Sequence, residues 1–70
     1  MKYAVVIEQA PGNFSAYVPD LPGCVATGTT AQEVEPEIRA AIAFHIEGSR
    51  EDGQVPPAPT SRVEYIEFAA

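Results

Sequence analysis

At 70 residues the chain is long enough for one small domain, taken here as residues 1–70; such a domain buries only about 60% of the surface its unfolded form exposes, so burial against a partner is expected. Ten carboxylates against Lys2, Arg39, Arg50 and Arg62 give a net charge of −6, which disfavours direct nucleic-acid binding and favours a basic partner. The single cysteine, Cys24, excludes an internal disulfide and any multi-cysteine metal site, and no apolar run reaches the ~18 residues of a membrane span, so a cytoplasmic protein is expected.

Residues 2–8 read as a first strand, because Tyr3, Val5, Val6 and Ile7 favour a pleated surface and a turn cluster follows from Glu8 to Asn13. Residues 13–18 resume the strand pattern, and so short a connection makes the pair an antiparallel hairpin. Pro19 and Pro22 then lock φ near about −65° and push Val18 and Leu21 out of the helical region, so the chain runs extended and turns. Gly23 permits the turn's exit, and Asp20 is expected to accept from backbone N–H groups one or two residues on. Cys24 to Gly28 supply a third, short strand, completing a meander.

Thr30-Ala31-Gln32-Glu33 matches a capping box, in which the Thr hydroxyl accepts from the Glu33 amide and the Glu33 carboxylate reaches back to the Thr30 amide. Val34, Ile38, Ala41, Ile42 and Ile46 fall on one helical face, which predicts a helix covering one side of the sheet. Pro36 is the local misfit: the first turn tightens, the helix kinks, or regular helix starts near Pro36. Asp52-Gly53 ends the helix. Pro56, Pro57 and Pro59 stiffen a connector back to the sheet. Residues 61–68 read as a last strand, with Val63 and Tyr65 on one face and Ile66 and Phe68 on the other. Tyr3, Val5 and Ile7 likewise oppose Ala4 and Val6 in the first strand. One helix covers one side only, so the apolar groups left over predict a homodimer or higher homo-oligomer.

The search for chemistry comes up empty. Cys24 has no His or Arg beside it in sequence to activate its thiol. His45 is the only histidine and reads as a hydrogen-bonded residue at the core margin or an interface. Glu8, Asp20, Glu64 and Glu67 lack metal-ligand spacing, and no glycine-rich phosphate loop is present. No catalytic residue, metal or cofactor is therefore expected, and the chain reads as a non-enzyme.

Taken together, Tyr3-Ala4-Val5-Val6-Ile7-Glu8, the run from Phe14 to Cys24 with its Pro-Asp-Leu-Pro-Gly-Cys core, Gly28 with Thr30, Ala40 to Ile42 leading to His45-Ile46-Glu47-Gly48, and Gly53 with the proline connector resemble the HicB-like antitoxins, partners of HicA toxins. The resemblance implies an α+β fold of order β-β-β-α-β, an antiparallel meander covered on one face by one helix, like a truncated ribonuclease H without its catalytic acids. It also implies a binding protein that masks the active surface of a small basic, mRNA-cleaving toxin. Family members often carry a DNA-binding domain after this region, and none is recognisable within these residues. The loop Pro19, Asp20, Leu21, Pro22 and Gly23 is expected to serve architecture, and exposed carboxylates, Glu47, Glu51, Asp52, Glu64 and Glu67, to face the partner. The alternative is an orphan self-associating module with no cognate toxin.

Overall fold

The computed structural model describes residues 1–69. Strands β1 (Val6–Ala10), β2 (Asn13–Tyr17) and β3 (Val25–Gly28) form an antiparallel sheet in the order β1-β2-β3, and helix α1 (Ala31–Glu51) follows. The first strand is displaced from the expected 2–8, because the hairpin turn tightens to Pro11-Gly12 and the ladder extends to the pair Ala10 and Asn13. Proline fixes the first central position of that turn and glycine occupies the second.

Register decides which side chains meet α1. Ile7, Ala16 and Ala26 stand opposite one another across the sheet, and Ala16 is buried, so this row faces the helix. Val6, Tyr17 and Val25 form the adjacent row on the open face, where Tyr17 and Val25 are exposed. The core is Ala16, Val18, Leu21, Cys24, Val34 and Ile38, with Tyr3, Val5, Phe14, Ala26, Ala41 and Ile42 packed around it. Burial pushes the Cys24 thiol pKa up, which keeps it a protonated, small apolar filler.

The helix begins at its cap. The Thr30 hydroxyl accepts from the Glu33 amide at 3.0 Å, and the Val34 amide donates to the Thr30 carbonyl at 3.1 Å. The other half of the capping box is spread over two residues: the Glu33 carboxylate accepts mainly from the amide and hydroxyl of Thr29, with a lesser pull from the Thr30 amide. Those bonds, the hydroxyl's first, hold the Glu33 carboxyl below its usual pKa. α1 runs unbroken through Pro36, so regular helix starts at Ala31 and not near the proline. The partner that Pro36 cannot supply is the one its amide would have offered to the Gln32 carbonyl, and both residues are exposed. At the other end the Gly53 amide donates to Arg50 and the Gln54 amide to Ser49, a Schellman closure made possible by Gly53 at φ 73°.

The strand expected at 61–68 is the main correction. These residues belong to no ladder, and Tyr65, Ile66 and Phe68 are 96%, 73% and 83% exposed. The α+β class, with a three-stranded antiparallel meander under one helix, holds without a fourth strand in the single chain.

Candidate partner interface

The proline turn is tied into the core. The Leu21 amide donates to Val18, the Cys24 amide to Leu21 and the Val18 amide to Cys24, which closes residues 18–24 on themselves. With Pro19, Pro22 and Gly23 at the surface, the Leu21 side chain turns inward and is fully buried. Asp20 does not make the local turn bonds expected of it. Its carboxylate reaches across to the connector and accepts from the Thr60 amide (3.0 Å) and hydroxyl (3.1 Å) and from the Ser61 amide (3.0 Å) and hydroxyl (2.8 Å). The Ser61 amide is foremost in lowering the Asp20 pKa from its ordinary 3.8, since each bond favours the ionised form. The loop thus fixes where the chain leaves the domain.

The most distinctive surface is the outer side of α1. Glu33, Glu37, Ala40, Phe44, Glu47 and Glu51 are separated by steps of four and three, so at about 100° per residue they make one stripe down the helix. All are exposed, and Phe44 is 80% so. The two helix cations, Arg39 and Arg50, lie roughly a third of a turn away, and Arg39 is paired with Glu35. An aromatic ring is therefore presented between carboxylates, with no positive charge along its own line. Such a face can seat an apolar ring in a pocket while its acidic flanks meet a basic surface.

Of the carboxylates assigned to a partner, Glu47 and Glu51 fall on this stripe. Asp52 is the C-cap residue just beyond it, its amide donating to the Gly48 carbonyl. Glu64 and Glu67 lie on the 61–68 segment, where Glu64 pairs with Arg62. Phe44 and Glu37 were missed by reading α1 only for its apolar face; the same period read on the opposite side finds both. His45 is half-buried, and no hydrogen bond from its ring occurs among the described residues; only its backbone carbonyl accepts, from the Ser49 hydroxyl. Among the described residues no group of three His, Cys, Asp or Glu side chains is placed to hold a metal ion, and no helix is long and apolar enough to cross a membrane.

Comparison with known proteins agrees with this architecture. The family described as HicB_like antitoxin of bacterial toxin-antitoxin system matches residues 3–69. An uncharacterised 14.9 kDa protein in the rep-hol intergenic region of Haemophilus phage HP1 is 38% identical over 66 residues, 94% of this chain and 50% of that protein. The chain thus spans about half the length of that relative. A solved chain from a HicA3 and HicB3 toxin-antitoxin complex is similar with a TM-score of 0.72 and 30% identity, covering 86% of this chain and 70% of that one.

Proposed function

The chain belongs to the HicB-like antitoxin family, and from that membership we propose that it neutralises a small basic, mRNA-cleaving HicA-type toxin by covering the surface with which the toxin holds RNA. The observation that carries the reading is the stripe on α1, where Phe44 stands exposed among Glu37, Glu47 and Glu51. A ribonuclease must attract a polyanion, so its working surface is basic, and a carboxylate face competes for the same charges. Phe44 supplies what charge alone does not, a desolvated anchor that slows dissociation, while the carboxylates act mainly on encounter rate and on rejection of wrong partners. The role is binding and not catalysis, and it asks for no metal or cofactor. The cytoplasm, where mRNA is translated, is the compartment this role requires.

The test is inhibition of RNA cleavage by a small basic HicA-type protein from the same host, titrated with wild-type chain and with Phe44→Ala and Glu47→Lys variants. The proposal expects stoichiometric inhibition by the wild type. It expects a loss of tenfold or more in affinity for Phe44→Ala, about 1.4 kcal/mol. For Glu47→Lys it expects slower association and a weaker salt dependence. No inhibition by wild-type chain would refute the antitoxin role, and equal inhibition by all three would remove the stripe from it.

A further inference from the structure

The tail that forms no ladder is chemically a strand. Val63, Tyr65, Ile66 and Phe68 are strong β-formers, and no Pro or Gly interrupts residues 62–69. Most of its apolar side chains find little in their own domain: Tyr65, Phe68 and Ile66 are largely in solvent, and Val63 is about half covered. The exit point is nonetheless fixed. The Tyr3 hydroxyl donates to the Pro57 carbonyl at 2.5 Å, and the Asp20 carboxylate holds Thr60 and Ser61. A segment that leaves from a defined anchor, carries a strand's residues and has no ladder is missing its partner.

The sheet lacks the complementary part. β1 pairs only with β2, so its outer edge is open, and α1 packs mainly over β3 and β2. A groove of about 500 Å³ remains between α1 and the segment leading into β1, lined by Val5, Ile7, Ile38 and Ile42, with Lys2 and Arg39 exposed beside it. Ile7 is 43% exposed although its row faces the helix, because nothing fills that groove. On the sheet's open face, the row Val6, Tyr17 and Val25 ends at the same edge.

We infer that residues 62–69 of one copy add as a fourth strand to the β1 edge of a second copy, reciprocally, and that this exchange is how the protein self-associates. A strand there needs apolar side chains on both faces, one set for the groove and one to extend the open-face row. The tail has both, Ile66 with Phe68 and Val63 with Tyr65. Lengths agree: eight residues span about 27 Å, enough to follow all of β1 and part of the extended segment before it. Charges agree: Lys2 and Arg39, against Glu35, leave the groove positive, while Glu64 and Glu67 outweigh Arg62 on the tail. The exchange is an isologous contact, which closes at two copies.

The experiment uses the full chain in two labelled forms, one 15N and one 13C, mixed after unfolding and refolding together, with mass measured by light scattering. The inference expects the mass of two copies and isotope-filtered contacts from the Phe68 ring of one form to the Ile7 and Ile42 methyls of the other, and from the Tyr65 ring to the Val6 methyls on the open face. Ile66→Pro, at a side chain 73% exposed in its own domain, is expected to weaken self-association at least tenfold while helical circular dichroism is kept. Ile7→Glu, on the receiving side, is expected to do the same. A monomeric wild type, tail contacts only within one chain, tail contacts only with added toxin, or an Ile66→Pro dimer of unchanged affinity would each overturn the inference. None of these readouts involves toxin inhibition, so this inference and the antitoxin reading fail separately.

Discussion

The closed unit from β1 to Gly53 and the tail after Ser61 are both rich in strong hydrophobes, yet they stand at opposite extremes of burial. Leu21 and Val34 are fully buried, whereas Tyr65 is 96% and Phe68 83% exposed. The difference lies in what closes around them. In the first region the core groups are brought inward by hydrogen-bonded devices: the 18–24 loop for Leu21, the Thr30 cap for Val34, the hairpin register for Ala16. The tail has an anchor at Asp20 and nothing beyond it. Hydrophobicity sets how much surface seeks cover, and topology sets whether the same chain can provide it.

The comparison can be broken first at Leu21. Leu21→Ala leaves a cavity beneath a loop that cannot collapse, and should cost about 2–5 kcal/mol in urea unfolding, whereas Tyr65→Ala at the wholly exposed end should leave the stability of the separated subunit unchanged. Pro36→Ala would sharpen it in the other direction. The exposed proline denies Gln32 its helical partner, so the variant should be more stable by up to about 3 kcal/mol, read as a higher midpoint with unchanged slope. Thr30→Ala removes the side-chain acceptor for the Glu33 amide and should cost about 1 kcal/mol in the same assay. The smallest effect is on the junction between the regions. The Asp20 pKa is lowered in the folded protein, so the clamp's contribution is complete above the unfolded value near 3.8 and is lost as pH falls through the folded one. The Thr60 and Ser61 amide resonances should move together below about pH 4. Asp20→Asn should remove that titration, and its persistence in the variant would assign it elsewhere.

What could be read from sequence divides along the same line. The buried helix face, the Thr30 cap and the Gly53 stop are set by residues within a few positions of one another, so local rules sufficed. Asp20 escapes local rules, because its partners are forty residues away and no short-range rule names them. Glu33 bonds Thr29 because the preceding residue offers both an amide and a hydroxyl where a single amide was expected. The 61–68 segment has the propensity of a strand, but a strand also requires an edge, and propensity does not supply one. The acidic line with Phe44 was present in the spacing of α1 but hidden by attention to its apolar side. Asp52 sits at the helix end, and Glu64 and Glu67 on the tail, away from the line that Glu47 and Glu51 share.

The central claim is that the two regions divide the work, the outer line of α1 meeting the toxin and the tail meeting a second copy. Amide chemical-shift mapping of 15N-labelled full chain, titrated with the unlabelled toxin, tests that division directly. The account predicts shifts concentrated at Glu37, Phe44, Glu47 and Glu51, with residues 62–69 unmoved. Shifts confined to the tail, or their absence at Phe44 and its flanking carboxylates while the toxin is bound, would contradict it.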